Sequence, residues 1–379
     1  MSGRVYLDYN ATSVVRPEAE AAVLAALRLG GNASSVHAAG RAARAMIEEA
    51  REAIATLAGA RPQDIVFTSG GSEANALAIE SAVKAGSRRL IIGSTEHASV
   101  LDTAAASGAA VELWPVDSDG VADLGWLAGR LKGWKTADGR PFVAVMAANN
   151  ETGVIQPVGE ISALVQEAGG WLHVDAVQAT GKIPIDAIPA DTVAISAHKI
   201  GGPQGSGALI VACDVELTRR AFGGGQERGR RGGTENLSGI AGFGAAARAV
   251  AASGVLDHAV WRDAAAERLK AEAGVVVLGE AAPRLPNTLC FATPGFASDL
   301  QVIALDLAGV MVSAGAACSS GKVKSSHVVE AMGRPDLGVC SLRVSGGWAT
   351  AEADWSRFVE AWLEAHARRA ARVRRLVEA

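Results

Sequence analysis

The sequence predicts an α/β chain: a large domain with a mostly parallel sheet between helices, then a smaller α+β domain at its C-terminal end. Three observations carry this expectation. Short apolar, β-branched runs alternate with helical patterns from residue 65 to residue 211, the arrangement of a parallel sheet covered by helices. Polar clusters directly follow four of those runs. Near Gly254 the alternation gives way to shorter strands between longer helices.

In chain order, Val5-Tyr6-Leu7-Asp8 reads as a short strand, followed by Asn10-Ala11-Thr12. Pro17 opens a helix, since proline suits a first helical turn. Residues 30–37 form a polar loop, and 38–58 a long helix with Ile47, Ile54 and Leu57 on its apolar side. The strand 65–68 runs into Ser69-Gly70-Gly71-Ser72-Glu73 and then a helix over 74–85. Further strands fall at 89–93, 111–115, 142–147, 171–174, 193–196 and 208–211, with helices near 97–107, 123–132, 158–168 and 235–253. Beyond 254, a helix over 257–273 precedes strands at 275–278, 288–292, 310–313 and 341–345, with helices at 298–308, 326–332 and 351–375. The expected large domain is 13–254. The small domain is 255–379, joined by residues 1–12.

The chain has 379 residues, 49% of them apolar and 20% charged, enough for two domains and a large core. Aromatics make up only 4% while glycine numbers 44, so the core packs through small residues and close backbones. A formal net charge of -4 gives no reason to expect nucleic acid or an anionic membrane surface as partner. The Arg residues at 367–375 read as the solvated face of an amphipathic helix. No signal-peptide pattern begins the chain, and no run reaches the roughly 18 apolar residues of a membrane span. Cys213, Cys290, Cys318 and Cys340 are far apart with no CxxC pair. That spacing argues against a metal site and a disulfide framework, and fits a reducing cytoplasm.

In sheets of this kind ligands sit beyond the carboxyl ends of the strands. The residues there are Glu96-His97-Ala98-Ser99, Asn149-Asn150-Glu151-Thr152-Gly153, Asp175-Ala176-Val177-Gln178 and Ser196-Ala197-His198-Lys199. They should converge on one edge of the sheet. Lys199 enters a glycine- and proline-rich loop, Ile200 to Gly207. On that segment alone, two readings stand: a surface lysine, or a desolvated amine that forms a Schiff base. The turn at Gly70-Gly71-Ser72 is likewise either a tight strand-to-helix connection or a phosphate cradle at a helix N-terminus. The glycine-rich stretch 222–234 is either a flexible surface loop or a loop reaching a phosphate or a partner subunit.

Pyridoxal phosphate (PLP) requires a lysine, an acid at its pyridine nitrogen, a donor at its phenolic oxygen and an anion cradle. Lys199, Asp175, Gln178 and Gly71-Ser72 can fill these roles. His97 could stack on the ring and move protons. Ser196, His198 and Thr234 are candidate phosphate partners.

The motifs YLDYNAT (6–12), FTSGGSEANALAI (67–79), NNETGVIQP (149–157), HVDAVQATGK (173–182), SAHKIGGPQGSGAL (196–209), GGGQERGRRGGTEN (223–236), GAACSSG (315–321) and SLRVSGG (341–347) together resemble the class V, fold-type-I PLP enzymes. Within them the chain is similar to the cysteine desulfurases of the NifS/IscS type. The resemblance implies that Lys199 carries the cofactor, Asp175 pairs with the pyridine nitrogen, Gln178 donates to the phenolic oxygen and His97 stacks on the ring. It implies a phosphate cup of Gly71, Ser72, Ser196 and His198, completed by Thr234 from the other subunit of a homodimer. Asn150 and Arg343 would hold the substrate, Arg343 by its carboxylate, with Asn32 a further substrate contact. Cys318 lies among small residues with Lys322 and Lys324 nearby, a setting that favours an exposed thiolate. An inert buried thiol is the alternative, and it fits Cys290 and Cys213. By resemblance, Cys318 takes sulfur from L-cysteine, L-alanine leaves, and the persulfide passes to an acceptor such as an iron–sulfur scaffold protein. The stretch Lys322-Val323-Lys324-Ser325-Ser326 departs from the Leu-Glu-Pro-like sequence of many members, which bears on the acceptor. The alternative reactions are selenocysteine lysis and transamination on the same scaffold.

Overall fold

The computed structural model describes residues 3–186, 188–212, 215–315 and 325–377. The chain opens with β1 (Val5–Tyr6), α1 (Pro17–Leu29) and α2 (Ala38–Leu57). A βα series follows: β2 (Ile65–Thr68), α3 (Gly71–Lys84), β3 (Arg89–Gly93), α4 (Ala98–Ala106), β4 (Ala110–Trp114), α5 (Leu124–Lys132), β5 (Phe142–Met146), α6 (Val158–Glu167), β6 (Trp171–Asp175), β7 (Thr192–Ser196) and β8 (Gly207–Val211). Next come α7 (Leu237–Ser253), α8 (Ala259–Ala273), β9 (Val276–Val277), β10 (Thr288–Ala292), α9 (Ser298–Leu307), β11 (Val310–Met311), β12 (Ser313–Ala314), α10 (His327–Ala331), β13 (Ser341–Ser345) and α11 (Glu352–Val377).

Among the described residues, β2 to β8 form one seven-stranded sheet in the order β2-β8-β7-β6-β5-β3-β4. Only β8 runs against the rest, pairing antiparallel with both β2 and β7. Strands β2, β5, β6 and β7 are buried along their whole length, as expected for strands covered on both faces. Alternation along β5 sends Val143 and Val145 to one core and Phe142 and Ala144 to another. On β6 the same period puts Leu172 and Val174 on the first face and Trp171 on the second. His173 and Asp175 follow Trp171 onto that second face.

Helices α1 and α2 pack on α7. The approach is close enough that a Cβ at Gly244 would stand 2.5 Å from the Ala50 Cα. Glycine there lets the helices meet backbone to backbone, the packing that the small-residue composition predicts.

The second sheet, β12-β13-β10-β9, is antiparallel. Its core gathers Phe291, Trp355, Phe358 and Trp362, with Phe291 and Trp362 edge-to-face at 5.3 Å. β1 pairs in parallel with β11, which ties the N-terminus to this region. The sequence expects one strand over 310–313; the chain instead forms two short strands, β11 and β12, in different sheets. The helix expected from residue 74 begins at Gly71, because the glycine turn itself forms the first helical turn. Among the described residues no helix is long and apolar enough to cross a membrane.

Candidate active site

Strands β5, β6 and β7 end side by side, with Met146 opposite Asp175 and Asp175 opposite Ala194. Beyond these ends lies a cavity of ≈ 330 Å³. Lys199, Asp175, Gln178, His97, Asn150, Ser196, His198, Gly71, Ser72 and Arg343 all line it. The four polar clusters expected at strand ends therefore do converge. Asn32 and Thr234 do not line it within one chain. The Asn32 Oδ1 accepts from the Ser34 N–H at 2.8 Å, and Thr234 lines a separate cavity with Phe67, Glu227 and Arg231.

Lys199 follows β7 on a single 3-10 turn. Its Nζ donates to the main-chain oxygens of Asn10 at 2.6 Å and Ala11 at 2.9 Å. Burial, then the Arg343 charge, pushes its pKa down to about 8, against smaller opposing pulls from Asp175 and Asp8. Near neutral pH a useful fraction of this amine is the free base, which an aldehyde or a substrate α-proton requires.

Asp175 closes β6. Its Oδ1 accepts from the Val177 N–H at 2.9 Å and its Oδ2 from the Asn75 side-chain amide at 2.7 Å. Gln178 donates from Nε2 to the Asn10 main-chain oxygen at 2.9 Å and accepts from the Lys182 Nζ at 2.5 Å. His97 caps the N-terminus of α4 and faces the open cavity. Burial lowers its pKa, so the neutral ring prevails. His198 is pushed down to about 4 by burial, then by Lys199 and Lys182.

A second cavity of ≈ 290 Å³ adjoins the first and shares Gly71, Ser72, Ser196 and His198 with it. The N-terminus of α3 opens there, and its cap residue Gly70 brings no side chain to the free N–H groups. A Cβ at Gly71 would stand 2.6 Å from the Val177 Cγ2, so glycine lets the start of α3 pack close against Val177. Free N–H groups, a helix dipole and two serine hydroxyls make a site that fits a phosphate group. Lys199, Asp175 and Gln178 beside it fit an aldehyde-bearing pyridine ring.

Arg343 reaches in from β13. Its Nη2 pairs with Asp8 Oδ1 at 2.8 Å and its Nη1 donates to the Asn150 main-chain oxygen at 3.1 Å. Its buried Nε has no partner among the described residues. An unpaired donor on a buried guanidinium is costly and is suited to a carboxylate ligand.

Cys318 lies outside the described residues, as do Cys213 and most of the 316–326 segment. The flanks of that segment both meet Glu151. Ser326 donates from Oγ to Glu151 Oε2 at 2.6 Å, and a Cβ on Gly315 would stand 3.1 Å from the same oxygen. Cys290 is fully buried and its thiol is pushed up by that burial; Cys340 is also buried.

Sequence reasoning missed several groups. Asn10, 1% exposed, accepts from Lys199, Gln178 and Lys182 and donates to Asn150 and Thr288. Among the described residues Lys182 is buried with no carboxylate partner, and burial drives its pKa well below the usual lysine range. Its signal was the i,i+4 spacing from Gln178 on the turn after β6. Glu96 accepts from the Met146 N–H, while its other oxygen has no partner among the described residues. Burial, then Asp175, pushes its pKa well up. Asn75 and His173 gave no signal, because both sit inside elements that read as core.

A class-V aminotransferase profile matches residues 5–358. A cysteine desulfurase from Cereibacter sphaeroides is 43% identical over 349 residues, 88% of this chain and 87% of its own length. An IscS-like cysteine desulfurase from Mycobacterium tuberculosis is 38% identical over 98% of this chain and 97% of its own. The crystal structure of a NifS-like protein from Rickettsia africae superposes with a TM-score of 0.86 at 31% identity, over 96% of this chain and 99% of that one.

Proposed function

Because the chain belongs to the class-V aminotransferase family and is a PLP-dependent cysteine desulfurase within it, we propose a role for each group around the Lys199 cavity. PLP, when bound, supplies an electron-poor ring that accepts the electrons left at the substrate Cα. Lys199 would hold it, and its free amine is the base placed to take the substrate α-proton. Asp175 would accept a hydrogen bond from the pyridine nitrogen, Gln178 would donate to the phenolic oxygen, and His97 would face the ring and move protons at the substrate. Gly71, Ser72, Ser196 and His198 bind the phosphate, with Thr234 supplied by a second copy of the chain in a homodimer. Arg343 and Asn150 orient the substrate carboxylate, with Asn32 a further substrate contact.

The Cys318 thiolate then bonds to the substrate sulfur as the Cβ–Sγ bond breaks. The electron pair of that bond stays with carbon, which takes up protons and leaves as L-alanine. Sulfur remains on Cys318 as a persulfide. The acceptor we favour is an iron–sulfur scaffold protein, supported by the IscS-like relative. We also propose a division into residues 13–254 and residues 1–12 with 255–379, and a cytoplasmic setting supported by four well-separated cysteines.

The observation that carries this reading is the convergence of Lys199, Asp175, Gln178 and Arg343 on one cavity. The test is incubation with L-cysteine, quantification of alanine and mass mapping of the persulfide. The expected result is one sulfur added at Cys318, lost in Cys318→Ala while the cofactor absorbance is kept. Alanine formation undiminished in Cys318→Ala would overturn it.

A further inference from the structure

The face of β6 that presents Asp175 also carries polar groups that the proposed steps leave unused. Trp171, His173 and Asp175 alternate onto that face, and Thr192 stands opposite His173 on β7. Trp171, Thr192, His173 and Asn75 are each at most 2% exposed. The Trp171 indole N–H donates to Thr192 Oγ1 at 3.0 Å, and that oxygen is 3.0 Å from His173 Nδ1. His173 Nε2 is 3.0 Å from Asn75 Oδ1. Asn75 Nδ2 donates to Asp175 Oδ2 at 2.7 Å and to Ser99 Oγ at 3.0 Å. Ser99 Oγ in turn is 2.9 Å from His97 Nδ1.

The protons can be placed from the Asp175 end. Asn75 donates from Nδ2 to Asp175 Oδ2, which turns its Oδ1 toward His173 Nε2, and an amide oxygen only accepts, so Nε2 carries a proton. Burial pushes the His173 pKa down to about 3, against a smaller pull from the Thr192 backbone, so the ring is neutral and its Nδ1 accepts from the Thr192 hydroxyl. That hydroxyl accepts in turn from the Trp171 indole. His97 Nδ1 accepts from the Ser99 N–H at 3.1 Å, so it is the unprotonated nitrogen and the Ser99 hydroxyl donates to it as well. The remaining His97 proton sits on Nε2.

We propose that Asn75, held in a row with Trp171, Thr192 and His173, is a positioning residue that sets the acceptor face of Asp175. The proposal rests on the role given to Asp175 above. It assigns a purpose to a fully satisfied buried polar row, which would otherwise be a costly way to fill a core.

The test is ¹⁵N-histidine NMR of the holoenzyme, with the His173 signal assigned by its loss in His173→Gln. A neutral, Nε2-protonated His173 is expected. An Nδ1-protonated or doubly protonated ring overturns the chain. The second arm compares Thr192→Val, which keeps shape and removes the hydroxyl, with Thr192→Ser, which keeps the hydroxyl. Thr192→Val is expected to lower kcat about tenfold, the effect of roughly one lost hydrogen bond, with KM for cysteine within about twofold. It should also move the ¹⁵N resonance of the ring nitrogen in labelled PLP. Thr192→Ser should restore both. A Thr192→Ser variant as impaired as Thr192→Val, or a Thr192→Val variant with an unmoved ring-nitrogen signal, overturns the proposal. Failure of the desulfurase roles would show instead as a wild-type enzyme without a Cys318 persulfide, whatever the His173 tautomer.

Discussion

Lys199 and Lys182 share Asn10, Lys199 through its main-chain oxygen and Lys182 through its side-chain oxygen. Both are pushed down by burial first, and the Arg343 charge adds to the shift of each. Their surroundings differ in access. Lys199 lines the open cavity, whereas Lys182 is 3% exposed. Each amine donates to two acceptors, Lys199 to the main-chain oxygens of Asn10 and Ala11 and Lys182 to Asn10 Oδ1 at 2.9 Å and Gln178 Oε1 at 2.5 Å, so access is what separates them. Desolvation alone therefore does not make a nucleophile. An amine with a depressed pKa reacts only where a cavity reaches it, and otherwise becomes an uncharged strut.

The sharpest way to break this contrast is to remove each amine in turn. Lys199→Ala is expected to lose covalent PLP and to cut alanine formation by at least roughly 10³-fold, the scale of losing a nucleophile and base together. Lys182→Met should retain the covalent cofactor, read by absorbance and intact mass. A Lys199→Ala enzyme with PLP covalently attached at Lys182 would erase the distinction.

Arg343 probes what the two lysines have in common. Arg343→Gln removes charge-assisted hydrogen bonds worth about 1.5–3 kcal/mol, so kcat/KM for cysteine should fall about 10- to 100-fold, mainly through KM. The same substitution should raise the midpoint at which Lys199 in the PLP-free protein becomes reactive toward the aldehyde. That midpoint is expected near pH 8 in the wild type, with the rate rising as pH increases because the free base is the nucleophile. An unmoved midpoint in Arg343→Gln would mean that burial alone sets it.

The contrast also marks what the sequence could and could not disclose. The βα alternation and the four strand-end clusters were legible because period and polarity are local properties. Lys199, Asp175, Gln178 and His97 meet where those patterns imply. Lys182 was present in the same quoted motif as Gln178, yet its state depends on how deeply the turn after β6 is covered, which no local pattern encodes. Asp8 on Arg343 and Asn10 at the hub are contacts across hundreds of residues. Asn75 and His173 read as core because their partners lie on three different elements. Thr234 and Asn32 do not line the Lys199 cavity within one chain, which no local pattern in the sequence discloses.

A smaller effect separates the two lysines by stability. Lys182→Met leaves the Asn10 and Gln178 side-chain oxygens with one partner fewer, at a cost of about 1–3 kcal/mol. Its dependence on pH is more telling than its size. Burial lowers the folded pKa of Lys199 from 10.5 to about 8, and that of Lys182 well below 10.5. Between those folded values and 10.5 the unfolded chain holds a proton that the native PLP-free protein does not. Stability therefore rises with pH in that window, by about 1.4 kcal/mol per pH unit for each such lysine. Urea titrations of the PLP-free protein between pH 9 and pH 10 should show this slope fall by one such increment in Lys182→Met. Lys199→Ala should lose an equal increment. A slope unchanged in Lys182→Met would mean that Lys182 keeps its charge in the folded state. The buried amine would then be a cation opposite Lys199, and the uncharged strut would be wrong.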